Sequence, residues 1–286
     1  MPTRHILSLA VALLAGPVFA ADPQAQAERI DRHLTAAHAR AKVTPAPVSD
    51  DAEFLRRVFL DLAGTTPTAA ETRAFLDDKF AGKRAKLIDK LIASPASARH
   101  FATVWRRTWL PQSDAASAAP QAEAFERWLR DRLVSGSKYD QLSRELLTAP
   151  SRPEPGDPSA ARVFLELNSF RAEELTANAS RVFLGLNLDC AQCHDHPFAK
   201  WTRDQFWQSA AFFTPPTKEG TPAERLTIAI PGTKRTATPA FITGDAVSWP
   251  KEWDDLAGRL AFALWATSKA VSYTHLRAHE TKANLV

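Results

Sequence analysis

The sequence predicts a mainly α-helical protein, an irregular multi-helix bundle with long loops and at most a few short strands. Composition gives the first indication, because only 10 of the 286 residues are glycine while alanine and leucine, which favour helices, are abundant. Periodicity gives the second, because apolar residues recur at intervals of three and four along much of the chain. The sequence contains no internal repeat.

The first half of the chain contains successive helices with clear start and stop signals. Asp50 or Asp51 is placed to cap an amphipathic helix, and Gly64 ends it. Thr68 then has the position of an N-cap, with Glu71 at the capping-box position three residues later. Further helices are expected over 28–42, 83–93, 96–109, 121–134 and 138–148.

Loops interrupt the second half. Residues 112–119 are small and polar and predict a mobile loop, and the proline-rich segment 150–158 is the expected hinge. A long helical pattern from about 159 to 186 leads into the only cysteines. The remaining pattern predicts an aromatic-rich helix over 201–213, one or two short strands between 226 and 242, and an amphipathic helix over 253–265.

The first twenty residues have the pattern of a secretory signal peptide. Arg4 and His5 precede an apolar run that is too short to span a bilayer, and Val18-Phe19-Ala20 supplies the small residues before a cleavage site. No later segment reaches about 18 uninterrupted apolar residues, so no transmembrane segment is expected. We therefore expect an exported protein, either periplasmic or at the cell surface.

The last sixteen residues, from Val271, break the helical pattern. They resemble translated sequencing-adapter read-through, so we expect 271–286 to be non-native and the chain to be truncated after Ala270. Arg4 contributes +1 and this tail contributes +1, so the formal charge of +4 falls to +2 for residues 21–270. A balance this slight does not indicate a nucleic acid partner.

The segment Cys190-Ala-Gln-Cys193-His194 contains both cysteines of the chain. Two thiols three positions apart on a helical turn can add across the two vinyl groups of one porphyrin, and the histidine that follows can bind the iron. The spacing therefore predicts a c-type haem, with Cys190 and Cys193 as thioether anchors and His194 as axial ligand. Haem attachment outside the cytoplasm agrees with the signal peptide.

A second axial ligand is harder to assign. The only methionine, Met1, belongs to the signal peptide, so a His/Met pair is excluded. His196 is a possible metal ligand, but on a helix its side chain would point about 200° away from that of His194. His100, on the helix predicted over 96–109, is the better distal candidate.

Two other interpretations of the motif stay open. Cys190 and Cys193 could form a zinc-type site with His196 and, in addition, His194, although no second cysteine pair completes it. The two thiols could instead form a short-loop disulfide. In either case the protein would be a non-haem surface or scaffold domain associated with extracellular polymer degradation.

Motifs of the common enzyme classes are missing from the sequence. It contains no Walker A loop, no dinucleotide-binding glycine fingerprint, no GxSxG elbow and no HExxH. A kinase, dehydrogenase or hydrolase of those kinds is disfavoured, and no reaction is assigned. The expected partner is a redox protein or a surface complex, whose identity the sequence does not define.

Two separated segments carry a family resemblance. The first is DAEFLRRVFLDLAGTTP over 51–67, and the second is ASRVFLGLNLDCAQCHDHPF over 179–198. Both resemble the planctomycete cytochrome-like family (PSCyt type), catalogued as domain of unknown function fifteen-forty-nine. The similarity spans roughly residues 50–215 and implies an exported, mostly helical, cytochrome-like protein without a known reaction. The helix over 253–265 is similar to the leading edge of the fifteen-fifty-three domain that usually follows.

These expectations divide the chain into five parts. They are a signal peptide over 1–20, an N-terminal helix and linker over 21–49, a cytochrome-like helical domain over 50–215, a linker with the truncated start of a second domain over 216–270, and a non-native tail over 271–286.

Overall fold

The fold is described from a computed structural model over residues 23–151, 160–251 and 256–268. The predicted signal peptide, most of the predicted hinge and the predicted tail from Val271 lie outside these ranges. The chain divides into two units, and the second begins at Asp51. The first unit contributes one described helix, and the second contains the motif.

Helices account for nearly all of the regular structure in these ranges, which confirms the predicted mainly α fold. They are α1 (Pro23–Ala41), α2 (Asp51–Ala63), α3 (Ala69–Asp77), α4 (Lys83–Ile92), α5 (Pro95–Trp109), α6 (Ala119–Val134), α7 (Tyr139–Leu147), α8 (Val163–Leu167), α9 (Ala172–Ala179), α10 (Arg203–Ala210) and α11 (257–268). A small antiparallel sheet pairs β1 (Ile228–Ala229) with β2 (Thr236–Ala237). Over the described ranges, no helix combines the length and apolarity that crossing a bilayer demands.

The boundaries of α2 and α3 follow the signals predicted from the sequence. Gly64 ends α2 in the left-handed region, at a φ of 69°. Thr68 caps α3, because its hydroxyl accepts from the Glu71 amide at 3.2 Å while the Glu71 carboxylate accepts from the Thr68 amide at 2.9 Å. The Glu71 carboxylate accepts from both the amide and the hydroxyl of Thr68, and these two bonds favour its charged form and lower the pKa of Glu71.

Helices α2, α3 and α4 enclose a small hydrophobic core, which we call the N-terminal core. Its buried members are Leu55, Val58, Phe59, Ala63, Phe75 and Leu91. Asp51 closes one edge, since its carboxylate pairs with Lys83 at 2.6 Å and with Arg84 at 2.8 Å. Hydrogen bonds from these two cations lower the pKa of Asp51. Lys83 also donates to two carbonyls at the end of α3, so one side chain joins three helices.

A larger core, which we call the main core, is formed by helices α5 to α11 and the loops between them. It is rich in aromatic rings. Phe212 stacks on Phe241 with ring centroids 4.8 Å apart, and Phe241 stacks on Trp265 at 4.4 Å. Residues from α5 to α11 therefore share one apolar interior, and the cysteine motif lies at its surface.

The predicted continuous helix over 159–186 is wrong. Helix α8 is short, α9 begins after a break, and a π-helical turn at Ser180–Leu184 follows α9. In the break, Ser169 and Phe170 adopt positive φ angles of 55° and 53°. The side-chain amide of Asn168 donates at 2.7 Å to a carbonyl one turn earlier in α8. Because this bond satisfies the end of α8 and the next two residues are left-handed, the helix stops there.

The segment 112–119, predicted as a small, polar, mobile loop, contains two 3-10 turns, Pro111–Asp114 and Ala116–Ala118. The buried Arg106 of α5 reaches into the first turn. Its guanidinium donates to the Ser113 hydroxyl at 2.6 Å and to the Asp114 carboxylate at 2.8 Å. Two polar side chains of this segment, Ser113 and Asp114, are therefore partners of a buried cation, and Arg106 lowers the pKa of Asp114.

Candidate functional site

The cysteine motif lies on a short 3-10 turn, Asp189–Gln192, at the surface of the main core. Leu188 and Ala191 are buried and hold the backbone of the turn against the core. The side chains of Cys190 and Cys193 are exposed, and the amide of Cys193 donates to the carbonyl of Cys190 at 3.4 Å. The apolar neighbours thus anchor the turn while both thiols face solvent.

The imidazole of His194 is exposed directly after the second cysteine. Its Nδ1 lies 2.7 Å from the backbone carbonyl oxygen of Asp195. Because a carbonyl only accepts, a neutral ring carries its proton on Nδ1, and Nε2 keeps its lone pair. This is the orientation in which an imidazole binds a metal through Nε2, with the other ring nitrogen held by a backbone acceptor.

The two cysteines are not bonded to each other, and both are free thiols in this structure. Among the described residues, no group of three or more His, Cys, Asp or Glu side chains is placed to hold a metal ion. The zinc-type set of Cys190, Cys193, His196 and His194 is therefore not assembled in the structure. The disulfide interpretation stays a prediction.

His196 closes the loop that follows the motif. Its Nδ1 accepts from the amide of Phe198 at 3.2 Å and from the amide of Ala199 at 3.0 Å. Its own amide donates to the carbonyl of Trp201 at 2.8 Å. This segment is not helical, so the expected opposition of His194 and His196 on a helix does not apply. The Nδ1 lone pair of His196 is used inside the loop.

Two further contacts fasten the motif to α10. The carboxylate of Asp195 accepts from the amide of Arg203 at 2.8 Å, which satisfies one of the free donors at the start of the helix. The indole nitrogen of Trp207 donates to the carbonyl of Gln192 at 3.1 Å. The aromatic pattern of this helix predicted a buried face, but no signal in the sequence indicated that Trp207 bonds to the motif.

Phe198 lies on the same loop and points into solvent. Its exposed fraction is 91%, the highest of any large apolar residue in the described part of the chain. Sequence reasoning gave this residue no role. Its position is the one signal that could have indicated a role. It lies four residues after His194, between His196 and Trp201, whose backbone hydrogen bond closes the loop.

The predicted distal ligand, His100, lies beside the N-terminal core. Its ring packs so closely on Gly64, at the end of α2, that a Cβ atom there would lie 2.3 Å from Nδ1. It also contacts the ring of Phe101 at a centroid distance of 5.5 Å. These contacts tie His100 to α2, whereas the motif packs on α10. Its role as a distal ligand stays a prediction.

Comparison with known proteins identifies one family. The family model described as PSCyt2, a protein of unknown function (DUF1549), matches residues 29–218, more than half of the chain. The matched range contains the N-terminal core, the cysteine motif and helices α9 and α10 on either side of it. Searches of curated proteins and of solved structures found no match.

Proposed function

The chain belongs to the PSCyt2 (DUF1549) family, and from this premise we propose that it is an exported haem c protein for electron transfer or redox sensing. The family description names no activity, so the site carries the proposal. The decisive observation is that two unbonded, exposed thiols are followed directly by an imidazole whose Nδ1 is bonded to a backbone carbonyl and whose Nε2 makes no hydrogen bond within the described residues.

These residues fit the chemistry of covalent haem attachment. Cys190 and Cys193 would hold the haem through thioether bonds, for which each S–H would add across one vinyl group, with sulfur bonded to one carbon, hydrogen to the other, and no oxidant consumed. His194 would hold the iron through Nε2, while the Asp195 carbonyl bonds to its Nδ1–H. When bound, the haem supplies one-electron redox chemistry.

The surrounding bonds keep the attachment residues in place. Trp207 holds the turn through the carbonyl of Gln192, and Asp195 fixes the end of the motif to the first amide of α10. Both bonds are made to backbone atoms, so they set the path of the chain while the three reactive side chains stay at the surface. A surface site suits electron exchange with a partner protein.

The sequence supports an export signal, a location and a class of partner for this protein. Residues 1–20 direct export, the protein acts in the periplasm or at the cell surface, and its partner is a redox protein or a surface complex. Met1 is lost with the signal peptide, so a further iron ligand would have to be a histidine or water, or there would be none. His100 is the proposed histidine.

Absorption spectroscopy of the exported protein tests the proposal. The full chain is produced in a host with a cytochrome c maturation system, beside the C190A/C193A and H194A variants and H38A as a control on α1. We expect a Soret band in the parent and in H38A, no haem in the double cysteine variant, and an altered spectrum in H194A. A parent protein without a Soret band would refute the haem function.

If the parent protein carries no haem, thiol titration and metal analysis of the same preparation identify the state of the motif. Two titratable thiols without haem indicate an unmodified surface domain. No titratable thiol indicates a disulfide, and one equivalent of zinc indicates the zinc-type site. Each of these results supports the non-haem scaffold function in place of the haem c function.

A further inference from the structure

Phe198 is the most exposed phenylalanine in the described part of the chain. We propose that its ring contacts the haem held by Cys190, Cys193 and His194, and that His196 is the positioning residue that keeps it there. This inference rests on the proposed function and deepens it, because it assigns the chain's own cover for the cofactor.

The exposure of Phe198 is the first argument. A large apolar side chain left in water forgoes the favourable free energy that its burial would supply. The other two exposed phenylalanines of the described chain are less exposed and have neighbours. Phe80 is 61% exposed and lies against Gly82, and Phe170 is 40% exposed with the Arg162 guanidinium over its ring. Over the described ranges, Phe198 has no such ring or cation contact.

The rigidity of the loop is the second argument. An exposed ring on a loose segment would have no fixed direction. Here Nδ1 of His196 accepts from the amides of residues 198 and 199 and fixes the backbone. The bond from the His196 amide to the Trp201 carbonyl closes the same loop. The backbone of Phe198 is thus held by direct bonds, and the ring is directed outward by a built turn.

The position of the motif is the third argument. Both thiols and His194 are exposed, so a group attached to them lies outside the present surface of the main core. A tetrapyrrole is largely apolar and gains from an apolar contact that removes its surface from water. Phe198 follows His194 by only four residues, and the connecting segment is fastened by Asp195 and His196.

The identity of His196 is the fourth argument. A side-chain acceptor bonded to the amides two and three residues ahead is the pattern that Asn and Asp form in Asx turns. The imidazole of His196 makes this pattern here, so its part is to shape the loop and not to bind metal. Asn at this position keeps an acceptor for the same amides, whereas Leu provides none.

The test compares four variants of the full chain in the haem-loaded form. They are F198A, F80A as a matched exposed phenylalanine away from the motif, H196N and H196L. Haem mass on the cysteine peptide shows whether each protein is loaded. Soret circular dichroism and the reduction potential then report the surroundings of the haem, and thermal unfolding without haem reports the fold.

We expect F198A to load with haem but to lose most of the Soret circular dichroism and to have a lower reduction potential, because water then reaches the macrocycle. Its unfolding temperature without haem should equal that of the parent, since the ring is 91% exposed. F80A should match the parent in both haem measurements, H196N should retain the parent values, and H196L should behave like F198A.

The outcomes separate the two proposals. If the parent carries no haem, the proposed function fails and this inference fails with it. If the parent is loaded but F198A and F80A give the same dichroism and potential, only the inference on Phe198 fails. A loaded F198A that keeps both haem values yet loses binding to a redox partner would show that the ring faces a protein, which also overturns it.

Discussion

The two cores of this chain hold their polar residues in different ways. In the N-terminal core, Asp51 and Thr68 pair with side chains and amides that close regular helices. At the main core, His196 and Trp207 bond to the backbone of the irregular loop around the motif, and Asp195 of that loop bonds to the first amide of α10. The reactive groups of the motif are therefore positioned through the backbone that carries them, and not by packing of their side chains.

The largest effect is expected from the centre of the main core. Replacing Phe212 by Ala removes a fully buried ring that stacks on Phe241 and contacts Phe262. We expect the free energy of unfolding to fall by about 4 kcal/mol, as for other buried Phe-to-Ala changes. Denaturant unfolding measures this loss. Faster hydrogen exchange at the amide of Cys193, which bonds to the Cys190 carbonyl, should accompany it, and unchanged exchange there would show that the motif does not depend on this core.

A smaller effect is expected from the N-terminal core. Leu55 is buried there, and Leu55→Ala should lower the free energy of unfolding of that region by about 3 kcal/mol. Hydrogen exchange should quicken in α2, α3 and α4 while the amides of α9 and α10 keep their protection. Equal loss of protection in α9 and α10 would mean that the two cores unfold together.

A matched pair of cap variants sharpens the comparison. Thr68 and Thr202 form the same capping box, with Glu71 and with Gln205, and each Thr→Ala change should cost about 1 kcal/mol. T202A should also speed hydrogen exchange at the amide of Cys193, because the first amide of α10 bonds to Asp195 and Trp207 of the same helix bonds to the carbonyl of Gln192. T68A is the control and should leave that rate unchanged; a similar rise in both variants would contradict this account.

The smallest effect is a pH dependence of the N-terminal core. Hydrogen bonds lower the folded-state pKa of both Asp51 and Glu71, so their contribution is complete above the unfolded-state pKa of about 4 and is lost as the pH falls through the folded-state value. The stability difference between the parent and Asp51→Asn should therefore be present at pH 7 and vanish in acid. Urea unfolding at both pH values measures it, and a difference that persists in acid would exclude the ion pairs as its source.

Sequence patterns predicted the helix ends that depend only on neighbouring residues. The cap at Thr68 and the end of α2 at Gly64 need only neighbouring residues, and both were confirmed. The break after α8 was missed because a left-handed Phe170 has no local signature, and its conformation depends on Asn168 satisfying the helix end. The bond from Trp207 to the motif depends on tertiary packing, and no pattern encodes it.

The exposure of the motif also depends on tertiary packing, so the sequence did not predict it. The spacing of Cys190, Cys193 and His194 predicts a shared haem site, because the spacing that haem attachment requires is local, and that site stays a prediction. The spacing did not indicate that all three face solvent or that Phe198, four residues after His194, is exposed, since burial is decided by Leu188 and by the core beneath it.

The mass of one peptide tests the central claim most directly. Trypsin cleavage after Arg181 and Lys200 releases residues 182–200, which contain both cysteines and His194. From protein exported in a host that matures c-type cytochromes, the account predicts this peptide with the added mass of one haem. The unmodified peptide, or the peptide lighter by two hydrogens through a disulfide, would contradict it.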